Sequence, residues 1–297
     1  MKTILVCLVM LHSSLICLSQ NSNIDSVLAA RSQTLVCLTS NYPFNPPIKG
    51  GSAFIVFREP NEIFLVTATH VVDSVGTDPY IIFQNKSGEA YPIRLREISH
   101  LPPSRLSQFS ILHPELRTIS MLDFVNVEGG WVHHSVADLS VLKLDFSKIS
   151  FEKTLDIRFI KLKQIPKKSD MIPLNGLAIV FGYPKLDGIV HFYQTPLGTV
   201  IIAPTGKATP NSYQSESTYK IVNMERADTR QNQDFILLED KSIVGYSGGP
   251  VFEVRNCLKD GISPIPEIRL IGVVHGNTPF PVRTMITPIY YLWDLIK

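Results

Sequence analysis

The chain has 297 residues, 44% of them hydrophobic and 18% charged, with Lys and Arg outnumbering Asp and Glu by 28 to 26. That length admits one large domain or two modest ones around a real apolar core, and the hydrophobic fraction excludes a chain disordered throughout. The near-neutral balance gives no ground for nucleic acid as the main partner, and no internal repeat marks a solenoid or propeller.

The first segment reads as an address. Residues 1–19 open on Lys2, run apolar from Ile4 to Leu11 and close on Cys17-Leu18-Ser19. A basic start, a short apolar stretch and a small exit residue describe a secretory signal peptide cut after Ser19. His12-Ser13-Ser14 breaks the run well short of the roughly 20 apolar residues of a membrane span. The bulky Ile16 before Cys17 speaks against a lipid-attached cysteine. The expectation is a secreted or periplasmic protein with no membrane anchor after signal removal, and a monomer by default. Cys7 and Cys17 leave with the signal, so Cys37 and Cys257 remain. An oxidising compartment permits one bridge between them, but two unpaired small hydrophobes are the plainer reading. No Cys/His spacing marks a metal site, and no cofactor is expected.

The mature chain reads mostly as strand. β-rich runs lie at Gln33 to Leu38, Gly51 to Phe57, Ile63 to Thr69, Tyr80 to Gln84, Tyr91 to Leu95 and Ser140 to Leu144. Later runs are Leu177 to Phe181, Gly198 to Ala203, Tyr219 to Val222, Phe235 to Leu238, Pro250 to Val254 and Leu270 to His275. Short strands between Pro, Gly, Asn and Asp argue for an all-β fold over alternating β-α units. Helical spacing appears only at the end, where Ile289, Leu292, Trp293 and Ile296 share one face. The basic stretch 151–170 suits an exposed linker, so the chain divides into a first β unit (30–150) and a second with its closing helix (171–297). Residues 96–130 are longer than an ordinary connection and read as an insertion or lid.

Three segments carry chemistry. Leu65 to Val72 is an apolar strand ending on His70; Val136 to Leu144 opens an alternating strand with Asp138; Val244 to Phe252 holds Ser247 in a glycine-rich turn before a strand. A serine hydroxyl is a weak nucleophile without a base in reach, an imidazole can be that base near neutral pH, and a carboxylate can orient it. Glycines beside the serine let backbone N–H groups converge on one developing oxyanion. Asp123 and Asp145 are rival acids, but neither heads an apolar strand. His133 and His134 read as solvent-exposed loop residues. Gly245-x-Ser247-x-Gly249 also fits the nucleophile elbow of α/β-hydrolases, but a strand rather than a helix follows it, and only Asp260 and His275 could complete that site.

Thr67-Ala68-Thr69-His70, Ala137-Asp138-Leu139-Ser140-Val141-Leu142 and Gly245-Tyr246-Ser247-Gly248-Gly249-Pro250 together resemble the trypsin-like, chymotrypsin-fold serine peptidases of the bacterial exported branch. Gly50 to Phe54, Phe181-Gly182-Tyr183-Pro184 and Gly272 to Gly276 add weaker echoes, so the likeness spans about residues 48–290. The resemblance implies two six-stranded antiparallel β-barrels with the site between them. It implies His70 as base, Asp138 as orienting acid, Ser247 as nucleophile and the amides of Gly245 and Ser247 as oxyanion donors. It also implies a substrate pocket near Lys241 and along Val274, His275 and Gly276, where a cation would favour an acidic P1 side chain of a protein or peptide substrate. Tyr246 stands where members activated by cleavage carry an aspartate, so no zymogen cleavage beyond signal removal is expected. A serine endopeptidase is the leading expectation. A protease-fold binding or scaffold protein is the other.

Overall fold

Gly50–Arg58 contains four consecutive residues, Ala53, Phe54, Ile55 and Val56, with no exposed surface. Phe54 and Val56 face one apolar cluster while Ala53 and Ile55 face another, as period-2 alternation demands of a strand covered on both sides. The structure is a computed structural model. It describes residues 34–42, 49–76, 79–85, 90–99, 130–148, 155, 157–171, 175–183, 191–194, 200–203, 211–218, 220–225, 232–238, 241–242, 244–259, 263–278 and 282–296. The signal-peptide reading and nearly all of the 96–130 insertion lie outside these residues.

The fold is all-β. Its first sheet takes β1 (Leu35–Thr39), β2 (Gly50–Arg58), β3 (Glu62–Thr67), β4 (Tyr80–Gln84), β5 (Ala90–Arg94), β6 (Val132–His133) and β7 (Ser140–Leu144) in the order β5-β4-β1-β2-β3-β7-β6. An eighth strand, β8 (Ile160–Lys161), pairs parallel to β2. The second sheet uses β9 (Asn175–Gly182), β12 (Asn211–Thr218), β13 (Lys220–Glu225), β14 (Asn232–Leu238), β15 (Pro250–Lys259), β16 (Ser263–Asn277) and β17 (Thr284–Pro288), ordered β12-β9-β15-β16-β17-β14-β13. Between them in sequence, β10 (His191–Gln194) and β11 (Val200–Ala203) form a hairpin. Eight and seven strands replace the expected six and six. The surplus in the first sheet comes from the two-residue strands β6 and β8, too short to carry an apolar pattern. Among the described residues the end strands of neither sheet pair with one another.

One apolar cluster joins the sheets: Leu35, Phe54, Val66 and Val141 of the first pack with Ile179, Phe181, Phe252 and Val273 of the second. Phe181 and Phe252 meet edge-on at 5.7 Å, the offset that ring quadrupoles favour. Cys37 lies in this cluster as a free thiol, and burial pushes it up to about 12, which leaves it unreactive. The closing helix is shorter than its pattern: a single 3-10 turn, Ile289–Tyr291, leads into α2 (Leu292–Leu295; α1, Thr69–Val75, follows β3). Ile289, Leu292 and Ile296 are buried, as the spacing requires.

The stretch 151–170 differs from an exposed linker. Among its described residues Lys161, Lys163, Lys167 and Lys168 face solvent, but Ile160, Leu162 and Ile165 enter the shared core. Lys168 also reaches Asp234 on β14 at 2.7 Å, and Tyr290 hydrogen-bonds the same carboxylate. Three apolar residues spaced among charges suffice to anchor a segment whose composition reads as surface.

Phe54→Ala should lower unfolding free energy by about 3–5 kcal/mol, because the cavity opens at the seam between the sheets. Val244→Ala, 70% exposed in the native chain, should stay within about 0.5 kcal/mol. Urea unfolding of both variants with an unchanged slope checks the pair.

Candidate active site

Register brings the first two groups together. β3 runs antiparallel to β7 with Thr67 opposite Ser140, so the chain leaving β3 starts beside the chain entering β7. The sequence predicted strand up to Thr69, but β3 stops at Thr67 and His70 sits on the first turn of α1. Val71, Val72 and Val75 are the buried face of that short helix. Asp138 has no exposed surface, while the His70 side chain is 41% exposed. His70 Nδ1 lies 2.7 Å from Asp138 Oδ2, and the His70 backbone N–H donates to Oδ1 at 3.1 Å. Ring and backbone of one residue thus hold both carboxylate oxygens.

Ser247 arrives from the second sheet on the turn before β15. That turn is docked against the first sheet through Ser52, a buried residue of β2. The Ser52 N–H donates to Ser247 O at 2.7 Å, and its hydroxyl donates to Gly245 O at 2.8 Å. The same hydroxyl accepts the Tyr183 N–H at 2.7 Å, and Ser52 O accepts Thr67 Oγ1 at 2.7 Å. Gly248 closes the seam. At φ +82° a Cβ there would stand 2.1 Å from both Ser52 O and Thr67 Oγ1, and 3.2 Å from the Ala68 nitrogen. Only glycine lets the serine turn approach the segment that leads into His70. The Gly248 and Gly249 amides donate to Val274 O and Tyr246 O. Tyr246 is fully buried, and a Cβ on Gly182 would stand 2.5 Å from its ring.

The third group at Asp138 is one the motifs did not place there. β16 and β17 slip by one residue between Val274 and Gly276, so His275 is the extra residue of a bulge. Bulges re-aim side chains, and here His275 turns inward. Its Nδ1 lies 2.6 Å from Asp138 Oδ2, off the line that a hydrogen bond needs. Its ring meets His70 edge-on at 5.6 Å and Phe235 at 5.2 Å. Ser247 Oγ donates to the His275 carbonyl at 3.5 Å, the outer limit for such a bond. His70, Asp138 and the Ser247 hydroxyl therefore share one neighbourhood with a second imidazole.

Burial alone would push the Asp138 carboxyl up. The imidazoles of His275 and His70 outweigh it and hold the group far below the ordinary carboxylate range. His70, Asp138 and His275 each offer one ligand atom within 4.8 Å of the others, a set that could hold a metal ion. The two nitrogens, however, lie at hydrogen-bond distance from one oxygen. Ligands around a tetrahedral zinc stand about 3.4 Å apart, so these atoms stand closer together than metal ligands do.

The histidines before Asp138 are not the exposed pair that their loop position predicts. His134 is 8% exposed. His133 is half-buried, with Nδ1 2.6 Å from Ser140 Oγ, and burial holds it below the ordinary histidine value against the pull of Asp138. Ser140 has no exposed surface and also meets Thr69 Oγ1 at 2.8 Å, so its hydroxyl is structural. Asp145 accepts the Ser147 N–H in an exposed turn, and Asp123 and Asp260 lie outside the described residues. Lys241 is exposed. Ser242 ties the segment after Lys241 to the end of β16 through Asn277 at 2.9 Å.

No protein-family model matches the chain, and no curated protein matches it. Among solved structures, the chain path is similar to that of the Rv3671c protease from M. tuberculosis in its active form, at 14% identity and a TM-score of 0.46 over 92% of this chain and 83% of that one. It is also similar to the HtrA-type protease AlgW with a tripeptide, at 14% identity and a TM-score of 0.46 over 91% of this chain and 60% of that one.

The depressed Asp138 carboxyl gives stability that is present above the ordinary value of 3.8 and is lost as pH falls below it toward the native value. Asp138→Asn should therefore be less stable than the parent at neutral pH. It should also lose less stability than the parent as pH drops below about 4. Urea melts across pH, with parent and variant declining in parallel, would refute the assignment of that charge.

Proposed function

We propose that the protein is a serine endopeptidase that hydrolyses peptide bonds of exported or environmental proteins. The observation that carries this reading is the seam. The turn bearing Ser247 is pinned by Ser52 and Gly248 against the segment that leads to His70, while His70 rests on the buried, ionised Asp138.

The chemistry follows from those positions. For this chemistry Ser247 Oγ has to leave the His275 carbonyl for the exposed edge of His70, a tightening common when substrate binds. Oγ then attacks the scissile carbonyl carbon as its proton passes to His70 Nε2. Asp138 keeps the Nδ1–H tautomer and stabilises the imidazolium. The amides of Gly245 and Ser247 receive the developing oxyanion. His70 returns the proton to the leaving amine, and water then cleaves the acyl-enzyme by the same exchange. Tyr246, packed into the core over Gly182, leaves no carboxylate beside the nucleophile to pair with a freshly cut N-terminus, consistent with activity after signal removal alone.

A serine-directed phosphonate should label Ser247 in the parent, and His70→Ala should abolish labelling. Ser247→Ala should remove turnover by about 10⁴-fold or more while keeping the fold. A parent that folds but neither labels nor cleaves would favour the binding or scaffold reading.

The acidic-P1 expectation rests on Lys241, because the His275 ring is turned toward Asp138. In a panel of peptides varied at P1, Glu and Asp should be preferred, and Lys241→Ala should erase about tenfold of that preference, the size of one partly screened charge pair. Preference for Arg or for large apolar residues would end this assignment.

A further inference from the structure

The loop that presents Asp138 is closed by a histidine that the proposed chemistry does not use. His134 lies six residues before Ser140 and is 8% exposed. Its ring Nδ1 accepts two backbone N–H groups, from Val136 at 3.1 Å and from Ala137 at 2.8 Å. Its own N–H donates to Leu139 O at 2.9 Å, and the Leu139 N–H donates to Ala137 O at 2.9 Å. The other ring nitrogen, Nε2, lies 3.2 Å from Asp294 Oδ2 on α2, and the ring stands edge-on to Tyr291 at 4.8 Å. A nitrogen that accepts two N–H donors carries no proton, so the proton sits on Nε2 and points at Asp294. Every backbone N–H from Val136 to Leu139 is thereby accounted for, since Asp138 N–H donates to Gln233 Oε1 at 3.1 Å. A free loop of small residues here would hold Asp138 in no single place.

We propose that His134 is a positioning residue for the Asp138–His70 pair: its neutral ring, braced by Asp294 of the terminal helix, fixes the loop that aims the carboxylate. The consequence for turnover rests on the endopeptidase reading; the consequence for the Asp138–His70 contact does not. A structural filler and a clamp of this kind differ in what replaces them. In Asn the amide oxygen falls where Nδ1 stood, one atom beyond Cγ, and can accept the same two N–H groups. In Gln the terminal atoms fall where Nε2 stood, and the two amides are left without an acceptor.

The test compares His134→Asn, His134→Gln and His134→Ala in the full chain, with labelled casein as substrate. Proton NMR of the His70 Nδ1–H, shifted downfield by its short contact to Asp138, supplies a readout independent of turnover. Relative to the parent, kcat should fall about 100-fold in the Gln and Ala variants and by no more than about threefold in the Asn variant, with KM little changed. The downfield signal should persist in the Asn variant and vanish from the Gln and Ala variants. Thermal melts identify any variant that fails to fold; if Ala does, the Asn and Gln pair decides. Equal loss in Asn and Gln, or an unaltered signal in folded Gln, overturns the proposal. If the parent cleaves no casein while the NMR pattern holds, the endopeptidase reading fails and the clamp stands.

Discussion

A carboxylate with no solvent contact cannot stay charged unless its surroundings replace the water it lost, and Asp138 is such a group. The His70 backbone N–H and ring fix it from α1, the His275 ring approaches from the bulge in β16, and Gln233 of β14 takes the neighbouring amide. Those partners come from both sheets. Docking the two sheets thus supplies partners for a charge that the same docking takes out of water, and it brings the Ser247 turn into place. Fold and site are linked through one buried negative charge.

The second requirement is that the docked faces come close enough. Most of the seam is apolar, and apolar contacts tolerate small shifts. Ser52 does not: its amide and hydroxyl each hold a carbonyl of the Ser247 turn, and its own carbonyl holds Thr67. A displacement that breaks this set leaves several buried polar groups unpaired, at about 1–3 kcal/mol each. Hydrophobic burial brings the sheets together; the Ser52 hydrogen bonds define how they meet. Gly248 adds the steric half of the same constraint, since no side chain fits between the turn and the Thr67-Ala68 segment.

Much of this was legible because the chemistry needs particular residue types close to particular strand ends. His70, Asp138 and Ser247 each adjoin a strand whose apolar pattern is readable, whereas the pairing of β3 with β7 is seen only in the fold. Other parts carry no local signal. β12 (Asn211–Thr218) reads Asn-Ser-Tyr-Gln-Ser-Glu-Ser-Thr, polar throughout, and becomes strand by pairing with β9 over its full length. Ser52 looks like any small residue in a strand, because its role depends on a turn nearly 200 residues away. His275 was visible as a residue, but its direction depends on a one-residue slip that only the pairing with β17 defines. His134 is buried against its loop position for a similar reason. A loop position predicts exposure, and the terminal helix that covers it lies at the far end of the chain.

Two histidine–carboxylate contacts flank the same loop with opposite burial, and the proposed roles of the two histidines follow that contrast. At Asp138 the carboxylate is sealed and the imidazole is 41% exposed; at Asp294 the carboxylate is 67% exposed and the imidazole only 8%. A sealed carboxylate has no water to satisfy it, so its attraction for a cation on the neighbouring ring is strong. The exposed edge of that ring can exchange a proton with substrate. At the other contact water screens the carboxylate, and the ring has both nitrogens engaged, one by two amides and one by Asp294. Such a ring has nowhere to take a proton without releasing the loop. On the proposed peptidase reading, the same two residue types serve proton transfer in one place and rigidity in the other, and the proposed clamp holds the loop that carries Asp138.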